Sequence, residues 1–176
     1  SRWYGSGGSV MGVLRVRQPG FNLRSKLNEL DYDRIPYEKM PSGSIIQVKQ
    51  SSFSTYATFN NSSFSAISGF TVDISPRFSS SKILITLNLL LEIRSSSIVA
   101  IELTRGGSSI FTNEGGLRGT ASHGGYTTYS YLDSPQSTST LTYGVQTRTS
   151  NSDYTFNNYI GAGPANSYLT AMEVVG

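Results

Sequence analysis

Apolar and polar residues alternate along most of the chain after residue 43, and this alternation predicts β-strands. The clearest run is residues 83–93, ILITLNLLLEI, in which every odd-numbered position is Ile or Leu. A strand places successive side chains on opposite faces, so this run has one fully apolar face. A helix would distribute the same side chains around its axis.

Shorter runs repeat this pattern, and turn sequences that contain Gly and Pro separate them. Glu102 and Thr104 fall opposite one apolar set, and Glu173 is expected outside the last one. The runs, with no long helical pattern between them, predict an all-β fold: a jelly-roll-like β-sandwich with an extended N-terminal arm. The sets that share a face are Ile46 and Val48; Phe70, Val72 and Ile74; Val99, Ile101 and Leu103; Leu141, Tyr143 and Val145; and Met172 and Val174.

The distribution of charge divides the chain near residue 43. Residues 1–43 carry seven basic and four acidic side chains, whereas the remainder carries seven of each, so the net charge of +3 lies in the first part. We therefore predict three regions. They are a basic extended arm at 1–27, a connector at 28–43 and a β-sandwich domain at 44–176.

The arm, residues 1–27, contains five basic side chains and no acidic one. It also carries aromatic and apolar residues, which pure linkers rarely have, so we expect it to order against a partner. These residues favour a protein surface over nucleic acid, because phosphate contacts need only the charges. A flexible solvated tail is the alternative. The residues expected to bind the partner are Trp3, Tyr4, Arg15, Arg17, Phe21, Arg24 and Lys26.

The chain has no cysteine and a single histidine, His123. Disulfides and thiolate ligands are therefore excluded, and zinc sites and histidine-based triads are disfavoured. His123 lies in the turn sequence SHGGY, and Asp133 in YLDSP is expected to accept a turn hydrogen bond. No apolar run reaches the roughly 20 residues of a membrane helix, so membrane insertion is not expected. We expect no cofactor, no metal and no catalytic residue.

One pair of acidic residues invites comparison with a glycosidase, in which two carboxyl groups flank the scissile bond. Glu92 and Glu102 are both placed on the polar faces of predicted strands. Arg94 and Arg105 follow them closely in the sequence. We therefore expect ordinary surface ion pairs at these positions rather than a catalytic pair.

Two leucines lie on the opposite face of the run 83–93 from its main apolar set. Leu84 and Leu90, if exposed together, would leave an apolar patch on a single subunit. We predict that they lie at a subunit interface. Cover by a loop or by the arm is the alternative.

Several tyrosines lie among Ser, Thr, Asn and Gly residues, a composition typical of recognition loops. Tyr126, Tyr129, Tyr154 and Tyr159 are therefore candidates for ligand-facing positions. The candidate ligand is a host surface glycan, because sugar rings stack on aromatic side chains. Ordinary packing within a sheet is the alternative, since aromatic residues are favoured in strands.

A set of segments carries a family resemblance: LNELDYDRIPYEKMPSGSIIQV, SPRFSSSKILITLNL, ELTRGG, YSYLDSPQSTSTLTYGVQTRT and YLTAMEVVG. Over residues 28–176 the chain resembles structural proteins of tailed phages, of the marine and cyanophage kind. The resemblance implies a virion setting and β-sandwich domains that commonly form trimers, as in capsid decoration proteins and tail fibres.

Three functions remain open under this resemblance. No long repeat or coiled-coil shaft precedes the domain, so we expect a trimeric decoration or cement protein on the phage particle surface. Its arm would then dock on the major capsid protein or on another virion protein. A tail fibre or receptor-binding adhesin that recognises a host glycan is the alternative. A carbohydrate-active enzyme is the third, and it requires Glu92 and Glu102 in one cleft.

Overall fold

The computed structural model divides the chain into two compact units, Ser1–Lys39 and Met40–Gly176. In the first unit the described residues form one turn of 3-10 helix, Tyr37–Lys39, in which the Lys39 N–H donates to the Pro36 carbonyl. The predicted arm lies outside the described residues. The structure describes residues 36–55, 57–93, 98–118, 123–149, 154–156 and 166–176.

The described part of the second unit is built from β-strands. Alternating apolar residues and short turns with Gly, Ser and Pro favour strands over helices throughout this unit. In chain order the strands are β1 (Ile45–Phe53), β2 (Ala57–Phe59), β3 (Ser65–Ile74), β4 (Lys82–Ile93), β5 (Ile98–Arg105), β6 (Ser108–Arg118), β7 (His123–Asp133), β8 (Leu141–Thr149), β9 (Tyr154–Phe156) and β10 (Ser167–Val174).

The strands form two antiparallel sheets. In the first sheet β1 pairs with β10, β10 with β4, and β4 with β7. The short strands β9 and β2 extend this sheet beyond the end of β10, where β9 pairs with residues 91–93 of β4. The second sheet has the order β3-β8-β5-β6. The strand β4 is therefore paired on both edges along most of its length.

The strand order is that of a jelly roll. When the short strands β2 and β9 are set aside, the eight remaining strands form the sheets β1-β10-β4-β7 and β3-β8-β5-β6. Connections from β1 to β3, from β3 to β4, from β4 to β5, from β6 to β7, from β7 to β8 and from β8 to β10 cross between the sheets. Two sheets of four strands linked in this way are a jelly-roll sandwich, which confirms the predicted fold class.

The core lies between the two sheets, on the faces that the alternation predicts. Ile83, Ile85, Leu87, Leu89 and Leu91 of β4 are each at most 2% exposed. Their partners on the second sheet are the sets predicted from β3, β5 and β8. The buried residues of those sets are Phe70, Val72, Ile74, Val99, Ile101, Leu103, Tyr143 and Val145.

Two strands present the opposite face from the one predicted. In β10, Glu173 is fully buried, because it is in phase with the core residues Leu169 and Ala171, whereas Met172 is only half-buried on the outer side. In β1, Val48 is 57% exposed, because it lies directly opposite Met172 in the strand pairing. The expectations that Glu173 lies outside and that Val48 faces the core are both wrong.

Candidate functional site

A cluster of three polar side chains, two of them buried, joins the two sheets at one end of the sandwich. Asp133, the last residue of β7, accepts hydrogen bonds from Arg105 Nη1 at 2.9 and 2.7 Å and from the Tyr143 hydroxyl at 2.7 Å. Arg105 ends β5, and Tyr143 lies opposite it in β8. The cluster, which we call the clasp, therefore connects the first sheet to two strands of the second.

The environment of the clasp suits a structural role. Burial, followed by the hydrogen bond to the Asp133 carboxylate, raises the pKa of Tyr143 well above its usual value. The phenol therefore stays protonated and donates its hydrogen bond at neutral pH. Burial lowers the pKa of Arg105, but the hydrogen bond and the charge of Asp133 outweigh it and raise that pKa overall. Both donors of the clasp thus keep their protons.

A second buried carboxylate, Glu173, holds a turn in place. Its Oε1 accepts from the Arg77 N–H at 2.7 Å and from the Ser81 hydroxyl at 2.8 Å. Its Oε2 accepts from Gln47 Nε2 at 3.0 Å, and the same amide donates to the Ser75 carbonyl at 3.1 Å. These bonds fix the segment between β3 and β4 against β1 and β10. Burial of this carboxylate is tolerated because its oxygens accept these hydrogen bonds.

The sequence candidates for chemistry are not brought together. Glu92 lies in β4 of the first sheet, whereas Glu102 lies in β5 of the second and accepts from the Thr112 hydroxyl at 3.1 Å. Arg105 pairs with Asp133 rather than Glu102, because residues 102 and 105 of one strand point to opposite faces. The expected Glu102–Arg105 ion pair is therefore wrong, as is the expected turn role of the Asp133 side chain.

Two further candidates lie wholly or partly outside the described residues. Arg94, the expected partner of Glu92, lies outside the described residues, and so does the side chain of His123 at the start of β7. Among the described residues, no group of three or more His, Cys, Asp and Glu side chains is arranged to hold a metal ion. Within the same residues, no helix has the length and apolar character needed to cross a membrane.

The outer face of the first sheet is organised in rows that cross the strands. Residues directly opposite one another share a face, so the pairing registers give each row. The four rows are Ile45, Val174 and Lys82; Val48, Met172, Leu84 and Leu132; Gln50, Thr170, Thr86 and Ser130; and Ser52, Tyr168, Asn88 and Thr128. We call the second row, which runs from Val48 to Leu132, the apolar row.

The apolar row is open to the surroundings of the single chain. Val48 is 57% exposed at one end and Leu132 is 48% exposed at the other, with half-buried Met172 and Leu84 between them. Ile45, in the neighbouring row, is 50% exposed. Within the four rows Lys82 is the only charged residue. Scattered exposed apolar residues are ordinary, but a contiguous apolar strip on a face with a single charged residue indicates an interaction surface.

The outer face of the second sheet is polar, and its charged groups have partners. Asp73 accepts from the Thr142 hydroxyl at 2.6 Å. Arg148 pairs with Glu114 at 3.2 Å, and its guanidinium lies 5.3 Å from the centre of the Phe64 ring. This face therefore satisfies its own polar groups and has the character of a solvated surface.

A shallow depression of about 140 Å³ on the second face has no ionisable lining residue. It opens where Gly144 has no side chain, since a Cβ there would come within 3.2 Å of the Thr104 hydroxyl. Thr71, Thr142 and Gln146 complete its polar lining. The depression has hydrogen-bonding groups but no acid or base for proton transfer.

The predicted interface leucines have different environments. Leu90 is fully buried within the chain, so it is not available to a second subunit, and its backbone N–H donates to the Ser167 hydroxyl at 3.0 Å. The expectation of an exposed Leu84 and Leu90 pair is therefore wrong for Leu90. Leu84 lies at the centre of the apolar row, and its role at a subunit interface stays a prediction.

The candidate ligand-facing tyrosines also divide. Tyr126 is 58% exposed on the outer side of β7. Tyr129 points to the inner side, where it packs against the core with its ring centre 6.5 Å from that of Phe111. Tyr154 begins β9, but its side chain and the whole of Tyr159 lie outside the described residues. Of the two candidate tyrosines whose side chains are described, Tyr126 is the exposed one.

Sequence reasoning missed both buried carboxylates, although the strand period contained the signal. Asp133 is in phase with Tyr129 and Tyr131, which pack toward the core, and Arg105 is in phase with Leu103. Two opposite charges, each in phase with apolar residues at a strand end, indicate a buried pair. For Glu173 the signal was weaker, because the opposite face of β10 is also apolar.

Comparison with known proteins gives matches among solved structures alone. No family model matches the chain, and no curated protein matches it. Among solved structures, the infectious bursal disease virus VP2 subviral particle is similar at 15% identity and a TM-score of 0.47, over 81% of this chain and 42% of that chain. The Gt strain of this virus matches at 13% identity and 0.47 over the same shares.

The Gx strain matches at 12% identity and a TM-score of 0.44, over 75% of this chain and 43% of that chain. The chain thus spans about two fifths of the length of these solved chains. Identities and scores at this level are too low to transfer a function. The fold assignment rests on the strand order itself.

Proposed function

We propose that this chain is a non-enzymatic structural protein of a virus particle, and that it is a trimeric decoration protein on the capsid surface. The jelly-roll strand order carries the proposal, because virus coats are among the main uses of this fold. One fold can host many functions, so the proposal also relies on two features of the sequence. These are the basic segment 1–27 and the resemblance to tailed-phage structural proteins.

The arm is the proposed docking element. All of the net charge of +3 lies in residues 1–43, whereas the sandwich is neutral. An acidic capsid surface would attract the arm, and Trp3, Tyr4 and Phe21 would supply the buried contacts that fix it. The partner is the major capsid protein or another virion protein.

The buried ionisable groups of the sandwich support a scaffold rather than a catalyst. The carboxylates of Asp133 and Glu173 are each held by hydrogen bonds to the frame around them. A catalytic acid or base needs access to a substrate, and these groups are 6% and 0% exposed. Their geometry serves to lock the sheets and the turn before β4.

Shell binding by the full chain tests the proposal. We expect the chain to co-sediment with capsid shells of the virus that encodes it. A variant with Arg15, Arg17, Arg24 and Lys26 changed to Gln should bind at least about ten-fold more weakly, because it loses the attraction between charges. Arg148→Gln, on the second outer face, is the control and should bind normally. Equal binding by all three proteins would contradict the arm's role.

A receptor-binding adhesin is the second candidate, and the exposure of Tyr126 favours it. Its ring is 58% exposed on a strand whose neighbouring outward positions are Thr128 and Ser130. Such a surface suits stacking and hydrogen bonding to a sugar. Loss of host-cell binding in Tyr126→Ala, with shell binding absent from the unmodified chain, would support the adhesin and overturn the decoration role.

A further inference from the structure

We infer that the outer face of the first sheet is the surface through which copies of this chain associate, with the apolar row of one copy packed on the same sheet face of a second. The inference is independent of the proposed number of copies, because a face that packs on the same face of a second copy joins two chains. It does not depend on capsid docking, because the surface is a property of the sandwich alone.

The exposure pattern shows which part of this face is left open. At one end of the sheet Leu90 is fully buried by the chain's own residues. Farther along the same strand face, the apolar row remains accessible at Val48 and Leu132, which are 57% and 48% exposed. The chain therefore covers one end of the face itself and leaves the apolar row uncovered. Burial of that row would remove apolar area from water.

The charge pattern selects the occupant. A charged partner would bring groups that this face does not neutralise, since Lys82 is the only charged residue in the four rows. Desolvating unpaired charges is costly, so the face favours a partner surface that is also uncharged. The second outer face is not such a partner surface, because it carries the charged residues Asp73, Glu102, Glu114 and Arg148. The first outer face has one charged residue in its four rows, so the same face of a second copy supplies the matching surface.

The polar rows are compatible with the same occupant. Beside the apolar row lie Gln50, Thr170, Thr86 and Ser130, and the Gln50 amide donates to the Thr170 hydroxyl at 3.0 Å. Hydroxyl and amide groups both donate and accept, so such a row pairs with another row of the same kind. The apolar row and its polar neighbour therefore form a surface that is complementary to itself.

The size of the face is sufficient for a specific contact. Four strands about 4.8 Å apart, each contributing about seven residues at roughly 3.3 Å per residue, give a face of about 400–500 Å². Two such faces bury about 900 Å² in flat projection, close to the roughly 1,000 Å² that specific protein interfaces need. We therefore expect association that depends on concentration, with a dissociation constant in the micromolar range, about −8 kcal/mol.

The test is the mass of the full chain in solution, measured by analytical ultracentrifugation between micromolar and hundred-micromolar concentration. The unmodified chain should shift from monomer to dimer. Val48→Lys and Leu132→Lys should each weaken association at least about ten-fold, because a lysine would lose its hydration in the contact. Thr112→Lys adds the same charge to the second outer face and should associate like the unmodified chain. Circular dichroism confirms that each variant is folded.

The outcomes separate the interface from the proposed function. A chain that stays monomeric throughout, or a Thr112→Lys variant that loses association as strongly as Val48→Lys, overturns the interface. Loss of association on deleting residues 1–27 also overturns it, because the arm would then be the contact. A dimer that Val48→Lys dissociates supports the interface and contradicts the proposed copy number, whereas a trimer overturns the packing of this face on itself. Shell binding is scored independently of these results.

Discussion

The four rows of the first outer face contain one charged residue, Lys82, whereas the second outer face carries Asp73, Glu102, Glu114 and Arg148. Both faces belong to antiparallel sheets of one sandwich and flank the same core. They differ in where their polar groups find partners. On the second face the carboxylates accept from neighbouring hydroxyls or pair with an arginine, so the face is complete without another molecule.

This difference suits one face of the sandwich to water and the other to contact with a protein surface. A face with paired, partly exposed charges stays hydrated. A face with an apolar row and neutral hydroxyls has little to lose from dehydration, and it gains when the row is covered. The clasp keeps the two faces on one body, because it ties the end of β7 to β5 and β8.

The largest expected effect comes from breaking the clasp. Asp133→Asn removes the charge that Arg105 and Tyr143 share, and it leaves a donor where an acceptor stood. We expect the free energy of unfolding to fall by about 2–4 kcal/mol, as for other broken buried polar networks. Urea unfolding at pH 7 measures it. Asp73→Asn is the same change on the second outer face and should cost under about 1 kcal/mol. Equal losses of unfolding free energy in the two variants would show that the clasp stabilises the fold no more than a surface contact does.

The next effect is alkaline destabilisation through Tyr143. Its pKa is raised in the folded chain, so above about pH 10 the unfolded chain releases the phenol proton that the folded chain keeps. The unfolded state then binds fewer protons, and the free energy of unfolding falls as pH rises, by up to about 1.4 kcal/mol per pH unit.

Below about pH 10 this contribution is fully present, since both states hold the proton. Tyr143→Phe should lower stability at pH 7, because Asp133 loses a donor, but its stability should fall less steeply above pH 10. Unfolding curves at a series of pH values measure both effects. An unchanged slope in the variant would show that the alkaline loss arises elsewhere in the chain.

The smallest effect is expected on the second outer face. Arg148→Ala removes an ion pair whose side chains are 31% and 65% exposed. Exposed pairs are screened by solvent, so we expect a loss of under about 1 kcal/mol in the free energy of unfolding. Self-association should not change. A larger loss, or weaker association, would show that this face is not simply a solvated surface.

The fold could be predicted from the sequence because the strand period is strong in the central strand. In β4 every odd position from Ile83 to Leu91 is apolar, and these side chains form the inner face. In β10 the same method failed, because the outward set of Tyr168, Met172 and Val174 is at least as apolar as the inward one. Period two shows which residues share a face, but it does not show which face is inside.

The candidate surface could be predicted only in part. Leu84 was identified from its position opposite the apolar set, but Val48, Met172 and Leu132 were not joined to it. Their alignment depends on the pairing of β1 with β10, of β10 with β4 and of β4 with β7. Those registers are set by contacts between distant parts of the chain, which no local pattern records. The hydrogen bonds of Glu173 to Gln47 and Ser81 depend on the same long-range pairing.

The position of β10 has a consequence for synthesis. This strand is the last of the ten described strands, yet it lies between β1 and β4 inside the first sheet. Until the ribosome has released residues 167–174, β1 has no described strand partner and β4 lacks the one that covers residues 82–88. The sheet that carries the apolar row is therefore completed only after translation has passed Val174. Copies in which β10 has not yet been synthesised lack the finished row, so they cannot join one another through it.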